Sequence, residues 1–154
     1  MLIISHRGRL NGAYDPNSDN FPGRIYYILE HYPNLGIEID VRYGDGLYLG
    51  HDEPKYKVGN LWDILFKYKD KIFIHAKDFD AAKCLSYFGK ELNWFVHDNS
   101  FMTFTSKGDI WCYPNHEIDD SRAILMNPQE TTENIYLYWP NIKGICTDNP
   151  LLYL

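Results

Sequence analysis

The hydrophobic residues of the chain follow two alternating patterns. Short apolar runs rich in β-branched and aromatic residues, typical of buried strands, are separated by segments in which apolar residues recur at helical spacing. This alternation is typical of an α/β protein with parallel strands. The runs that predict strands are Leu2–Ser5, Ile37–Val41, Ile72–Ala76, Trp94–His97, Ile110–Tyr113, Ala123–Met126 and Gly144–Cys146.

Three helices are predicted between these strands, each with apolar residues at i, i+3, i+4 and i+7. The first begins at Pro22, which suits the first turn of a helix, and ends at Pro33. The second follows Asn60 as its N-cap, and the third is capped by Asp78 or Asp80. The apolar positions are Ile25, Ile28, Leu29 and Tyr32 in the first helix, Leu61, Ile64, Leu65 and Tyr68 in the second, and Ala81, Cys84, Leu85 and Phe88 in the third.

Two further features organise the rest of the chain. The dipeptide Asp45-Gly46 predicts a tight hairpin that brings His51 back beside the end of the second strand. A weaker helical pattern runs from about Pro128 to Tyr138. Because no repeat, linker or low-complexity segment interrupts the chain, residues 1–154 are expected to form a single domain.

The charge, the cysteines and the apolar runs of the chain argue against several classes of protein. Fifteen Lys and Arg against 21 Asp and Glu give a net charge of −6 without a basic run, so nucleic acid is not an expected partner. Cys84, Cys112 and Cys146 are isolated and lack CxxC spacing, which argues against a disulfide framework and a zinc knuckle. The first apolar run is too short for a signal peptide, and no stretch approaches the roughly 20 apolar residues of a membrane span. We therefore expect a cytoplasmic protein.

Ionisable residues gather where the predicted strands end. In parallel α/β folds the carboxyl ends of the strands form the reactive face, so these residues are expected to converge. They are His6-Arg7-Gly8, Glu38 with Asp40, His75 with Lys77, His97-Asp98 and Thr147-Asp148.

Glu38 and Asp40 carry the sharpest prediction. Two residues apart on a strand, they share one face, and two carboxylates in a barrel interior need a cation or a proton between them. Mg²⁺ or Ca²⁺ suits such a pair. The alternative is a solvated edge strand with exposed acids. His6 and His51 are the natural proton-transfer pair, and each is also a candidate structural histidine.

Three ordered motifs resemble those of the glycerophosphodiester phosphodiesterase family, within the wider group of barrels that includes phosphatidylinositol-specific phospholipase C. They are His6-Arg7-Gly8, Glu38-Ile39-Asp40 and Gly50-His51-Asp52, and the segment from Gly144 to Pro150 is similar to the last strand of that family. The resemblance implies a TIM-like (β/α) barrel. Since such a barrel usually needs about 250 residues, the expected fold here is a shortened or incomplete one with an open site.

The resemblance also implies a metal-dependent hydrolase of small glycerophosphodiesters or sugar-phosphate diesters. Glu38 and Asp40 would bind the divalent ion, and His6 and His51 would act as general base and general acid. Arg7 and Lys77 would hold phosphate oxygens, although a structural ion pair is an equal alternative for Arg7.

One position departs from the family pattern. His75-Ala76-Lys77 places an imidazole where the family has a glutamate ligand. Mn²⁺ then becomes a more suitable ion than Ca²⁺, with His75 as a ligand or as a group just outside the ligands. His97 is a further candidate to line the pocket. The departure also admits a non-catalytic module that binds a phosphorylated ligand, and a lyase that releases a cyclic phosphate would use the same residues.

Overall fold

A computed structural model describes residues 1–12, 15–114, 116, 118–128 and 140–154. The described strands form a ten-stranded mixed sheet that curves into a half-barrel. The strands are β1 (Leu2–His6), β2 (Leu35–Tyr43), β3 (Leu47–Leu49), β4 (Tyr56–Lys57), β5 (Ile72–Ala76), β6 (Asn93–Val96), β7 (Met102–Phe104), β8 (Ile110–Cys112), β9 (Ala123–Met126) and β10 (Gly144–Thr147). The helices are α1 (Pro22–His31), α2 (Leu61–Lys67) and α3 (Phe79–Phe88), and a 3-10 turn spans Pro150–Tyr153.

All the predicted strands are present, with ends within two residues of the prediction. They pair in parallel in the order β6-β5-β2-β1-β10-β9-β8. The carboxyl ends of these strands therefore lie along one edge of the curved sheet, and the side chains that follow them share that edge.

Three short strands extend this parallel arrangement. The predicted hairpin is confirmed, because β3 runs antiparallel to β2 with Val41 opposite Leu49, and β4 pairs with β3. β7 runs antiparallel to β8 and occupies the connection between β6 and β8. The connection from β6 to β8 therefore contains a short strand, whereas a regular (β/α) barrel has a helix there. This connection is accordingly short.

The structure confirms the residues predicted to begin two of the helices, α1 and α3, but not the predicted capping role of Asn60 in α2. α1 begins at Pro22 as predicted. Asp78, not Asp80, caps α3, since its side chain accepts a hydrogen bond of 2.8 Å from the backbone N of Ala81. Asn60 precedes α2 as predicted, but its side chain makes no capping hydrogen bond.

Two smaller points concern the predicted helices. Phe88, predicted on the apolar face of α3, is 72% exposed because it lies in the last turn, beyond the contact with the sheet. The weak helix predicted from Pro128 to Tyr138 falls outside the described residues, apart from Pro128 itself. None of the described helices has the length and the apolar run needed to cross a bilayer.

Successive residues of a strand point to opposite faces of the sheet, so the core consists of two clusters, one on each face. One face of the sheet packs against the helices with residues such as Ile37, Ile39 and Ile74. The concave face carries a smaller cluster, in which Trp111 is buried against Phe95, so Trp111 is a core residue. Beyond this cluster, toward the carboxyl ends, the same face turns polar. The cluster consists of Ile4, Phe73, Phe95, Trp111, Ile124 and Cys146.

Candidate metal centre and active site

Glu38, Asp40 and His75 form a buried group on neighbouring strands. β1 and β5 pair with β2 on its two sides, so β2 is not an edge strand and the alternative of exposed acids is wrong. Asp40 lies opposite His75 in the β2–β5 register. His75 Nδ1 is 3.3 Å from Asp40 Oδ1 and 3.8 Å from Glu38 Oε1. Each residue offers one ligand atom, and these atoms all lie within 4.8 Å of one another, a spacing that suits a metal ion.

The donor atoms fit a divalent ion. Asp40 Oδ1 is buried and has no hydrogen-bond partner among the described residues, because His75 Nδ1 is at ion-pair distance but not in hydrogen-bond geometry. An unsatisfied buried carboxylate oxygen is costly unless a ligand meets it. Two carboxylates with an imidazole suit Mn²⁺ or Mg²⁺. The Glu38–Asp40–His75 group is therefore the candidate metal centre.

The two carboxyls of this centre differ in acidity. Burial and the nearby charge of Asp40 raise the pKa of Glu38 well above its usual value. Burial would also raise the pKa of Asp40, but His75, Arg7 and Asn20 together outweigh it, so the pKa of Asp40 is lowered. The buried pair thus favours the proton on Glu38 over Asp40.

His6 is held in one orientation by Asp148. His6 Nδ1 lies 2.6 Å from Asp148 Oδ1, and its other nitrogen, Nε2, lies 3.9 Å from Glu38 Oε2. The contact with Asp148 fixes the ring so that Nε2 is the nitrogen nearer the metal centre. Arg9 and Asn127 in turn hold Asp148, with Arg9 NH1 3.0 Å from Asp148 Oδ1 and the Asp148 amide donating to Asn127 Oδ1 at 3.0 Å.

Arg7 lies against the carboxylates. Its Nε is 3.0 Å from Asp40 Oδ2 and its NH1 is 3.7 Å from Asp19 Oδ2, the ion pair that the sequence left open as an alternative. Its φ of 55° is in the left-handed region that favours glycine. That backbone conformation directs the Arg7 amide at Glu38, with the backbone O at 3.0 Å and Oε2 at 3.2 Å. Backbone strain of this kind is typical of functional sites.

The hairpin places His51 beside Lys77. His51 Nε2 is 3.3 Å from Lys77 Nζ, and His51 Nδ1 is 2.7 Å from Asp52 Oδ1. The side chain of His51 is 34% exposed, so it borders solvent. A cleft of about 140 Å³ opens next to it, and its lining includes Arg7 and Gly50.

His97 follows β6 and Tyr113 follows β8, the two ends of the parallel order, and the curvature of the sheet brings them into contact. The centroid of the His97 ring is 6.4 Å from that of His75 and 3.3 Å from that of Tyr113, on which it stacks. His97 Nε2 contacts the backbone O of Ser100 at 2.5 Å. His116 is exposed, with its ring 5.4 Å from Phe101, so it is a surface residue.

Sequence reasoning missed Asn20. This buried residue brackets Asp40, donating to Asp40 Oδ2 at 3.0 Å and accepting from the Asp40 amide at 2.8 Å. Asn20 precedes a helix and follows no strand, so no sequence signal connects it with the site. Asn127 follows β9, and the rule that strand ends converge would have found it.

The fold is similar to that of a solved phosphodiesterase. The crystal structure of glycerophosphodiester phosphodiesterase from Agrobacterium tumefaciens str. C58 matches with a TM-score of 0.59 at 13% sequence identity, over 99% of this chain and 98% of that one. The expected resemblance is therefore confirmed at the level of fold. No protein-family model matches the sequence, and no curated protein sequence matches it.

Proposed function

We propose that the chain is a metal-dependent phosphodiester hydrolase that acts on a small glycerophosphodiester or sugar-phosphate diester. The observation that carries the proposal is the buried Glu38–Asp40–His75 group, which lies beside a histidine oriented by a carboxylate. The structural neighbour, a glycerophosphodiester phosphodiesterase, supports the same reaction class. In this proposal the half-barrel is a shortened TIM-like barrel and residues 1–154 form one domain.

Glu38, Asp40 and His75 would hold one divalent ion, Mg²⁺, Ca²⁺ or Mn²⁺, with the imidazole favouring Mn²⁺ over Ca²⁺. When bound, the ion would supply positive charge that stabilises the phosphoryl oxygens. Asn20 and Arg7 contribute by fixing Asp40 Oδ2, which leaves Oδ1 as the unpaired oxygen. The carboxylate is thereby oriented before a ligand arrives.

His6 is the proposed general base. The hydrogen bond from Nδ1 to Asp148 leaves Nε2 free to accept the proton of the attacking hydroxyl or water. The carboxylate of Asp148 then stabilises the imidazolium that forms. Asp148 is thus proposed as a positioning residue, although only its place at a strand end marked it in the sequence.

His51 is the proposed general acid, which donates a proton to the leaving oxygen. Its neighbour Lys77 supplies positive charge next to the imidazole, and Asp52 fixes the ring from the other side. The cleft beside His51 gives the leaving group a path to solvent. Arg7 borders the same cleft, so its guanidinium can meet a phosphate oxygen while it remains paired with Asp40.

Two further parts of the proposal concern the kind of substrate and the cellular location of the protein. A small-molecule substrate suits the small cleft, of about 140 Å³, that lies beside His51 and Arg7. All three cysteines are free, and Cys112 and Cys146 are buried, which supports a reducing cytoplasmic location.

The test is hydrolysis of bis(p-nitrophenyl) phosphate and of glycerophosphodiesters with Mg²⁺, Mn²⁺ or Ca²⁺, with EDTA and a Glu38→Gln variant as the two ways to remove the metal. Glu91→Gln is the matched control, since Glu91 is exposed and pairs with Lys69. Turnover that both EDTA and Glu38→Gln abolish, while Glu91→Gln retains it, is the expected result.

Other outcomes separate the rival functions. Folded protein without turnover in any of the three metals would contradict the hydrolase. Binding of a phosphate ester under those conditions would then support a non-catalytic module. A cyclic phosphate as the final product, seen by phosphorus NMR, would identify a lyase.

A further inference from the structure

Tyr113 faces the metal centre from another part of the curved sheet. It follows β8, which stands at one end of the parallel order, while Glu38 and Asp40 belong to β2. The curvature nevertheless brings Tyr113 near the centre, because its ring stacks on that of His97, and the centroid of the His97 ring is 6.4 Å from that of the candidate ligand His75. Tyr113 therefore belongs to the surroundings of the metal centre although β8 and β2 are far apart in the strand order.

The hydroxyl of Tyr113 has no hydrogen-bond partner among the described residues, and it is buried. Such a group is unfavourable in a folded protein, and in native structures it usually meets a water or a ligand. The ring is not free to turn away, since it stacks on His97 at an interplanar angle of 19°. Tyr113 is thus a hydrogen-bond donor held in place without an acceptor.

The surroundings indicate which acceptor suits it. Burial, with the nearby carboxyls of Glu38 and Asp40, raises the pKa of Tyr113 above its usual value, so the phenol keeps its proton and can donate a hydrogen bond. Glu38, Asp40 and His75 are the candidate ligands of the metal centre. An oxygen of a ligand held at that centre would be an acceptor for this hydroxyl.

We infer that Tyr113 donates its hydroxyl hydrogen bond to a phosphoryl oxygen of the bound phosphodiester. The inference rests on the proposed function, and it assigns a substrate-binding residue that no sequence motif marks. His97, through its stacking contact, positions the phenol ring.

The test compares Tyr113→Phe with the wild-type protein and with Tyr26→Phe, in which an exposed tyrosine of α1 loses the same hydroxyl. Calorimetry would measure the binding of Mn²⁺ alone and then of inorganic phosphate to the Mn²⁺-loaded protein. We expect Tyr113→Phe to bind phosphate about ten- to a hundredfold more weakly, as for loss of a hydrogen bond to a charged group. Its affinity for Mn²⁺ and the phosphate affinity of Tyr26→Phe stay unchanged.

Thermal unfolding without ligand separates this role from a structural one. Because Phe keeps the stacked ring and removes an unpaired buried hydroxyl, the Tm of Tyr113→Phe should equal or exceed that of the wild type. A lowered Tm with unchanged phosphate affinity would overturn the inference, as would a weakened affinity for Mn²⁺.

The two proposals fail in different ways. If the wild type binds phosphate and Tyr113→Phe weakens that binding, but neither protein hydrolyses a diester, the hydrolase is wrong and the assignment of Tyr113 holds. If the wild type hydrolyses diesters and Tyr113→Phe does so with unchanged kcat/KM and phosphate affinity, the assignment of Tyr113 is wrong. A wild-type protein that binds no phosphate with Mn²⁺ would overturn the assignment of Tyr113, while the turnover assay alone decides the hydrolase.

Discussion

Asp148 tests the role of His6 at the scale of a single residue. Replacing it with asparagine keeps the size of the side chain but removes the charge that stabilises protonated His6 across the 2.6 Å contact. We expect kcat to fall about a hundredfold, at the low end of what general acid–base catalysis contributes. The affinity for Mn²⁺ should not change, because Asp148 is not among the candidate ligands. Steady-state kinetics and calorimetry on one protein preparation would check both parts, and an unchanged kcat would contradict the assignment.

Asp148 should also make the stability of the fold depend on pH. Burial would raise the pKa of Asp148, but the hydrogen bond from His6 and the charge of Arg9 outweigh it, so the pKa is lowered. A carboxylate whose folded-state pKa lies below the unfolded value of about 4 stabilises the fold above that pH, and the stabilisation disappears as the pH falls through the folded-state pKa. Urea unfolding should therefore show wild type more stable than Asp148→Asn at pH 7, with a difference that shrinks below about pH 4. A difference independent of pH would exclude this account.

His75 controls the choice of metal. His75→Glu converts the ligand set to three carboxylates, which hard ions such as Ca²⁺ prefer to a set that includes imidazole. We expect the ratio of Ca²⁺ to Mn²⁺ affinity to rise about tenfold or more, measured by calorimetric titration.

The matched control for this change is His116→Glu, which introduces the same carboxylate at an exposed position. It should leave both metal affinities unchanged. If His75→Glu also leaves both unchanged, His75 is not a ligand, and Glu38 with Asp40 would form the centre without it.

At the scale of elements, the β2–β3 hairpin positions His51. Gly50 has φ of 150°, and a Cβ there would lie 2.0 Å from the backbone O of Glu53, so no side chain fits without moving the loop. We expect Gly50→Ala to displace His51 and to lower kcat at least about tenfold, while Mn²⁺ still binds because its candidate ligands lie on β2 and β5.

Gly59→Ala serves as the control for the hairpin. Gly59 also has a positive φ, of 42°, but the nearest atom to an added Cβ is 3.9 Å away. Retained kcat in Gly59→Ala beside a reduced kcat in Gly50→Ala would attribute the effect to the loop that carries His51. Equal kcat values in the two variants would mean that the loop does not position a catalytic group.

The predictable elements are those whose pattern is local. The strand Ile72–Ala76 is an apolar run interrupted only by His75, and its predicted bounds match those of β5. β7 escaped prediction because Met102–Phe104 is short, exposed and bounded by polar loops, so only its pairing with β8 makes it a strand. Asn60 shows a second limit of prediction from sequence. It is of a residue type that favours the N-cap and stands directly before α2, but its side chain makes no capping hydrogen bond.

At the scale of the whole molecule, the site forms because residues that are distant in the sequence come together. Only some of these residues could be identified from the sequence. Glu38, Asp40 and His75 could be predicted because alternation on parallel strands decides which face they share. Asn20 could not, because a loop brings it to the centre. Tyr113 stands at the end of a predicted strand, so its place could be predicted, but the sequence does not show that its hydroxyl lacks a partner among the described residues. The conformation of Arg7 likewise depends on its contacts with Glu38.

The whole fold should also respond to the metal. Glu38 and Asp40 are buried in the middle of the sheet, so an ion that binds there binds the folded chain and not the unfolded one. At a free Mn²⁺ concentration a hundred times its Kd, the free energy of unfolding should rise by about 2.7 kcal/mol. For a domain of this size, that corresponds to a Tm about 5–10 °C higher. Differential scanning calorimetry with Mn²⁺ and then with excess EDTA would measure the shift and its reversal.

Two variants decide where that stabilisation arises. Glu38→Gln should lose most of the shift, since it removes one of the two carboxylates from the candidate centre. Asp52→Asn removes an exposed carboxylate beside His51 and should keep the shift in full, because Asp52 is not among the candidate ligands. A shift that survives in Glu38→Gln and disappears in Asp52→Asn would move the ion from the strands β2 and β5 to the His51 loop. Metal binding would then depend on the hairpin instead of the sheet, and the assignment of Glu38, Asp40 and His75 would be wrong.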